Sequence, residues 1–235
     1  MKRLARTLLL DIQLQFRNGF YYASIFVAAV AGSLLRQVPS ERLASLMGVI
    51  LFSNLAVNTF YFVSGLVLLE KDEATLSALA VSPLRAREYL ASKLITLSGL
   101  SLLENGLILI IGYTQRVAVL PFAAGLVIAS LIYTLCGLLV IVRYRSINEF
   151  LMPSVVYTGM LSLPAFPLLL HYDGWPAYLH PMQAPLLLLQ ASFTPLPAWN
   201  LPYGLLYGLL WIGVLFWLCQ RAFRTFVTGD AGMQV

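Results

Sequence analysis

Charge and cysteine are both scarce in this sequence. Charged residues make up 11% of the 235 residues, against about 25% in ordinary soluble domains. Hydrophobic residues make up 60%, and a soluble fold of this length cannot bury so much apolar surface. The composition therefore predicts an integral membrane protein. It contains no basic run interleaved with aromatic residues, so no nucleic-acid partner is expected.

Sequence signatures of metal and catalytic sites are also absent. The two cysteines, Cys136 and Cys219, lie far apart in apolar stretches and form no CxxC or Cys/His spacing. His171, Asp173 and His180 lack a third strong ligand at a recognisable spacing, so a loop or interface role is favoured over a metal site. No Ser-His-Asp elbow or HExxH motif is present, and we predict no metal site and no catalytic residue in this chain.

The apolar stretches predict an all-α membrane protein with six transmembrane helices in a single domain, 1–235. Each stretch is close to the length needed to cross a hydrocarbon core of about 30 Å. The predicted spans are Phe20–Leu35, Leu46–Leu69, Leu94–Gly112, Ala118–Val142, Phe150–Leu170 and Leu201–Gln220. Twelve of the 15 Lys and Arg residues then lie on one side of the membrane and three on the other. This bias predicts that both termini lie in the cytoplasm.

Two segments outside these spans have a pattern of their own. In residues 1–18, leucines, Ile12 and Phe16 recur every four residues, which predicts an amphipathic helix along the inner membrane surface. A cytoplasmic extension of the first span is the alternative. Pro164–Pro202 holds eight of the 12 prolines and no Lys or Arg. Because proline breaks helices, residues 171–199 are predicted to form an external re-entrant segment of one or two short helices before the last helix.

The segment after the second span concentrates acidic residues where the membrane ends. Three acids and one base precede a short apolar stripe, which Pro83 should terminate. Such a helix suits docking into a groove of a cytoplasmic partner, although a solvated loop has the same charges. The residues in order are Glu70-Lys71-Asp72-Glu73-Ala74-Thr75-Leu76, then Leu79, Ser82-Pro83-Leu84-Arg85, Glu88-Tyr89-Leu90 and Lys93.

This run of residues resembles the acid-rich signature E-K-E-x-G-T-L … L … T-P-L … E-Y-L … K of type-2 ABC transporter permeases, and among them the small fluoroquinolone-type drug export permeases. The strong match covers about 24 residues, and the six-span layout agrees more loosely. Ala74 stands where glycine is usual and Ser82 where threonine is common. Both departures are mild.

The resemblance implies a function that the spacing does not show. It implies a permease subunit of an ATP-driven ABC exporter that moves a hydrophobic or amphipathic drug-like molecule out of the cytoplasm by alternating access. Residues 72–81 would be the coupling helix that contacts a separate ABC ATPase subunit. The coupling residues would be Glu70, Asp72, Glu73, Thr75, Leu76, Leu79, Ser82 and Pro83. The permease would work as a homodimer or heterodimer in the lipid bilayer of a prokaryotic cell membrane.

The chain has no GxxxxGK[ST] phosphate loop. As a permease subunit the chain is therefore expected to have no enzyme activity and no cofactor of its own, with ATP and Mg bound by the partner ATPase.

Polar residues inside the predicted spans are candidates for a substrate path. Glu104 is the only acid well inside a span, where a carboxylate costs about 2.5–3.5 kcal/mol on insertion scales. Helical spacing places Ser101 on the same face as Glu104, and Asn54, Asn58 and Tyr61 on one face of the second span. Interhelical hydrogen bonding is the alternative role.

Two other functions remain open from the residues alone. One is an intramembrane enzyme that uses Glu104 with the external histidines. The other is a membrane scaffold or sensor subunit that does not transport.

Overall fold

The computed structural model describes residues 2–73, 86–144, 146–170 and 174–231, and this part of the chain is helical without strands. Ten α-helices are described, joined in two places by other helical turns: a π-helical turn at Ala56–Phe60 and a 3-10 helix at Trp175–Leu179. The α-helices are α1 Lys2–Arg17, α2 Phe20–Leu35, α3 Ser40–Leu55, α4 Tyr61–Asp72, α5 Ala86–Gly112, α6 Val119–Ile141, α7 Ile147–Leu161, α8 Ala165–Leu169, α9 Gln183–Ala191 and α10 Asn200–Ala231.

Four helical segments among the described residues are long and apolar enough to cross a membrane. They are Arg42–Asp72, Arg87–Gly112, Val119–Ile141 and Asn200–Ala222, and they contain the second, third, fourth and sixth predicted spans to within a few residues. A fifth is obtained if α1 and α2, which bend by 61°, count as one broken span. The described helices thus provide four or five candidate spans, compared with six expected.

The shortfall lies mainly in the fifth predicted span, Phe150–Leu170, which is not one continuous helix. Helix α7 has 15 residues and ends at Leu161, and the five-residue α8 follows a turn. Pro164 lies in that turn, lacks a backbone donor and disfavours helical geometry in the residue before it. A 15-residue helix rises about 22 Å, short of a 30 Å hydrocarbon core.

Helix α1 confirms that the segment predicted over residues 1–18 is helical, and its side chains differ in burial from one face to the other. Asp11 and Gln15 are buried against α5, whereas Leu9, Leu10 and Phe16 are more than half exposed. Two polar side chains thus face the protein, and the exposed face carries apolar as well as polar residues. The helix ends at Arg17, and Gly19, which precedes α2, has a φ of 80°, a left-handed conformation that glycine adopts at little cost.

Helix α9 lies within residues 171–199, where short helices were predicted, and it is buried in the bundle. Its nine residues rise about 14 Å, so it does not cross a membrane. Three larger helices approach it through glycine: a Cβ at Gly48 would lie 2.9 Å from Gln190 Cα, one at Gly125 2.9 Å from Leu189 N, and one at Gly204 2.5 Å from Leu188 Cγ. These glycines allow α3, α6 and α10 to surround α9. Residues 171–173 lie outside the described residues.

Candidate functional site

An ionic cluster, formed by Asp11, Glu70, Tyr89, Ser92 and Lys93, joins three helices beside the acidic motif. Lys93 of α5 is completely buried. Its Nζ donates to Asp11 Oδ1 of α1 at 2.6 Å and to Glu70 Oε1 of α4. Both carboxylates are only 4% exposed. A buried ammonium is tolerated only when paired, and this one has two carboxylate partners.

Neutral hydroxyl groups occupy the remaining carboxylate oxygens of the ionic cluster. Tyr89 donates its phenol proton to Glu70 Oε2 at 2.6 Å. Ser92 donates its hydroxyl proton to Asp11 Oδ2. All four carboxylate oxygens therefore have a donor, which is the condition under which buried charges are stable. With the ammonium and both carboxylates ionised, the cluster carries one excess negative charge.

The acidic motif itself contacts several neighbouring elements. Lys71, next to Glu70, donates to the carbonyls of Ile141 at 3.2 Å and Tyr144 at 2.7 Å, where it caps the C-terminal end of α6. Glu73 pairs with Arg17 at 2.7 Å. That pair is largely exposed, so it adds at most about 1 kcal/mol. Residues 70–73 therefore tie the end of α4 to α1, α5 and α6.

The predicted coupling residues differ in their positions. Glu70 faces inward, so its carboxylate is engaged within the chain. Asp72 and Glu73 are exposed at the end of α4. The structure describes the predicted coupling helix, 72–81, only as far as Glu73, and the rest of it lies outside the described residues. Five of the predicted coupling residues also lie outside them: Thr75, Leu76, Leu79, Ser82 and Pro83.

Asp11 and Lys93 were not among the predicted site residues. The available signals were a lysine next to an apolar span and an aspartate that interrupts the apolar run of α1. Neither signal identifies a partner, because the contact joins positions 82 residues apart.

A second polar cluster surrounds Glu104 between α2, α3 and α5. Asn54 donates its amide to Glu104 Oε1 at 3.2 Å and to Asn105 Oδ1 at 3.1 Å, and Asn58 donates to the same Glu104 oxygen. The Ser24 hydroxyl of α2 interacts with the Glu104 carboxyl, although outside normal hydrogen-bond geometry. Glu104 is completely buried. The amides satisfy one carboxylate oxygen and thereby reduce the cost of burying it.

The structure brings together only part of the predicted substrate path. Asn54, Asn58 and Glu104 are in contact. Ser101 donates to the carbonyl of Ser98 within its own helix, at 3.0 Å. Tyr61 faces α7 instead, where its hydroxyl accepts from Ser154 at 3.2 Å. The π-helical turn at Ala56–Phe60 inserts an extra residue into the helical repeat between Asn58 and Tyr61, so the two no longer share a face.

The segment before the last helix is held by aromatic side chains. Tyr203 and Tyr207 of α10 donate to the carbonyls of Tyr178 and Leu179, each at 2.6 Å. The Trp199 ring packs at a tilt against Tyr178 and edge-to-face against Tyr203. These bonds fix the 3-10 helix against α10.

His180 follows that 3-10 helix, and its Nδ1 accepts from the backbone N–H of Met182 at 3.2 Å. Burial lowers the pKa of His180, and a hydrogen bond with the Met160 backbone opposes that shift. The described partners of Glu104 are the side chains of asparagine and serine, and none is a histidine. His171 and Asp173 lie outside the described residues.

Comparison with known proteins assigns a family to this arrangement. The model of the fluoroquinolones export permease protein family matches residues 2–231. The chain is 31% identical over 239 residues to the fluoroquinolones export permease proteins of two Mycobacterium tuberculosis strains, CDC 1551 / Oshkosh and ATCC 25618 / H37Rv. Each alignment covers 99% of this chain and 100% of the relative. The matches thus cover the acidic motif, both polar clusters and the buried α9. They show that this chain belongs to the fluoroquinolones export permease protein family.

Proposed function

We propose that this chain is the membrane-spanning permease subunit of an ATP-driven ABC exporter for hydrophobic or amphipathic drug-like molecules. The observation that carries the proposal is the family match over residues 2–231, together with relatives named as fluoroquinolone exporters. The acidic motif at 70–73 adds support, because it lies where a cytoplasmic partner would act on α4 and α5.

The proposed arrangement in the membrane has six crossings with both termini in the cytoplasm. Five crossings use the four long helical segments and α2, and the broken pair α7–α8 supplies the sixth. Helix α1 lies along the inner leaflet, where its exposed Leu9, Leu10 and Phe16 contact lipid. Its basic residues Arg3 and Arg6 suit the anionic inner surface of a bacterial membrane. Helix α9 belongs to the re-entrant segment on the outer side.

The proposed energy source is a separate ABC ATPase, which binds ATP and Mg. Closure of two ATPase subunits would move the coupling helices at 72–81 in a permease homodimer or heterodimer. Since α4 and α5 flank this segment, they would change the packing of the bundle between inward-open and outward-open states. Transport requires that the substrate bind these two states with different affinity.

Among the residues of the proposed substrate path, Glu104 is the one whose surroundings best suit contact with a substrate. Its carboxylate is the only acid in the middle of a predicted span, and one of its oxygens lacks a hydrogen-bond partner of normal geometry. A positively charged amine on the substrate would satisfy that oxygen when the bundle opens. Asn54 and Asn58 would keep the carboxylate oriented.

Reconstitution with a candidate ATPase tests the proposal. The chain is co-expressed with the ATPase, purified through a tag on the permease and placed in proteoliposomes with ciprofloxacin as the probe. We expect the ATPase to co-purify and ciprofloxacin to move only when ATP and Mg are present. An ATPase with its phosphate-loop lysine changed to alanine serves as the control.

Other outcomes would favour the remaining functions. Normal fluoroquinolone efflux in a deletion strain, with no ATPase recovered, would contradict the proposal and favour a scaffold or sensor. ATP-independent chemistry that requires Glu104 would favour an intramembrane enzyme.

A further inference from the structure

The ionic cluster connects α1 to both helices that flank the proposed coupling segment. Glu70 lies two residues before α4 ends at Asp72, and Lys93 lies seven residues after α5 begins. Asp11 belongs to α1, more than 50 residues away along the chain. Lys93 therefore joins the two ends of the segment to each other and joins both to α1.

The contacts around α1 make this connection specific. Asp11 and Gln15 are one helical turn apart and are the most buried polar side chains of α1. Gln15 donates to the Thr96 hydroxyl of α5 at 2.9 Å, one turn beyond Ser92 and Lys93. Helix α1 is thus attached to α5 by two consecutive polar contacts. Leu9, Leu10 and Phe16 of α1 are exposed, so this attachment is not an ordinary hydrophobic seam.

We infer that Lys93 is a positioning residue for energy coupling, and that it makes α1 move with α4 and α5 when the ATPase acts on the segment between them. This inference rests on the proposed function. A buried ion pair with every oxygen satisfied has a defined direction and length, and its two charges resist separation in a low-dielectric interior. A force on either end of the segment would therefore reach α1, which lies at the inner leaflet.

Asp11→Asn tests the connection without leaving an unpaired charge. The variant retains the Lys93–Glu70 pair and the Tyr89 contact, so the cluster holds one cation and one anion and should fold. Only the charge that attaches α1 is lost. Asp11→Glu keeps that charge, and Gln13→Leu changes an exposed residue of the same helix as a matched control.

The readout is ciprofloxacin transported per ATP hydrolysed by the complete complex in proteoliposomes. We expect Asp11→Asn to lower this ratio by about two- to thirtyfold, the range seen for residues that couple distant sites. Complex assembly and the ATPase rate should stay close to wild type. Asp11→Glu should restore most of the ratio, and Gln13→Leu should not change it. A merely structural residue would lower assembly and ATPase activity together.

Spin labels test the same inference by distance. Labels are placed at Gln13 of α1 and Ile95 of α5, both exposed, after Cys136 and Cys219 are replaced by alanine. We expect one narrow distance that is the same with and without trapped ATP, and a broader or shifted distance in Asp11→Asn.

The outcomes separate failure of the inference from failure of the function. If the wild-type complex transports and Asp11→Asn has an unchanged ratio, the inference is wrong and the proposed function stands. The inference is also wrong if the wild-type label distance changes on trapping ATP. If the wild-type complex shows no ATP-driven transport, the proposed function fails, and the inference falls with it.

Discussion

Replacing Lys93 by methionine should destabilise the protein more than any other removal of a single cation among the described ion pairs. Methionine has a similar length but no charge, so Asp11 and Glu70 would face each other in a buried site without a counterion. Breaking a buried pair by removing one partner costs about 3–5 kcal/mol. The Ser92 and Tyr89 hydroxyls would still donate to the carboxylates, which keeps the loss within this range rather than above it.

The measurement is the free energy of unfolding of the purified permease in mixed micelles, followed by tryptophan fluorescence during SDS titration. Arg17→Met is the matched control, because Arg17 pairs with Glu73 at a similar distance of 2.7 Å but its side chain is 65% exposed. Its loss should cost less than about 1 kcal/mol. The difference between the two variants isolates the effect of burial.

A triple variant distinguishes unpaired charge from lost packing. Lys93→Met combined with Asp11→Asn and Glu70→Gln removes all three charges and keeps approximately the same volumes. Replacing a complete buried ionic group by neutral residues is often neutral or stabilising. The triple variant should therefore be more stable than Lys93→Met alone. If Lys93→Met lost less than about 1 kcal/mol, or if the triple variant were no more stable, the description of a buried, fully paired cluster would be refuted.

Three further predictions concern close packing, the Glu104 cluster and the turn after α1. Gly125→Ala should destabilise by about 1–3 kcal/mol because its Cβ would lie 2.9 Å from Leu189 N, whereas Gly99→Ala, with no atom within 4 Å, should be neutral or stabilising by up to about 1 kcal/mol. Glu104→Gln should change the unfolding free energy by less than about 1 kcal/mol, but Glu104→Leu should cost about 2–5 kcal/mol because two asparagine amides lose their acceptor. Gly19→Ala should cost about 1–2 kcal/mol at its φ of 80°.

Each of these predictions is checked by the same SDS titration. Equal stability of the two glycine variants would contradict the close approach of α9 to α6. A large loss in Glu104→Gln would indicate that the charge itself, rather than the acceptor oxygen, holds the cluster together. Asparagine is the control at position 19, because it tolerates the left-handed conformation better than alanine.

Much of the fold could be predicted because it depends on local composition. Scarce charge and long apolar runs determine that lipid is the solvent, and run length determines where a helix can cross. The bounds of α2 agree with the predicted first span, and those of α6 agree to within one residue. The prolines of Pro164–Pro202 correctly predicted short helices in place of a span. Pro164 belongs to the same signal and interrupts the fifth predicted span, which the structure does not contain as one continuous helix.

Tertiary structure decided which polar residues meet. Periodicity placed Asn54, Asn58 and Tyr61 on one face, but a π-helical turn depends on packing around it and has no reliable local signature. That turn directs Tyr61 to α7 and leaves the two asparagines at Glu104.

The same distinction applies to the acidic motif. The local sequence showed that acidic residues lie where the second span ends, and the family resemblance implied an ABC ATPase as their partner. Only the folded chain shows that Glu70 faces inward to a buried lysine and through it reaches Asp11, since an ion pair between distant positions is set by how helices pack. The sequence by itself thus determined that lipid is the solvent, where most of the helices lie and where the acidic motif lies. Tertiary structure determined the charge pairing, because each buried charge must find its partner in space rather than along the chain.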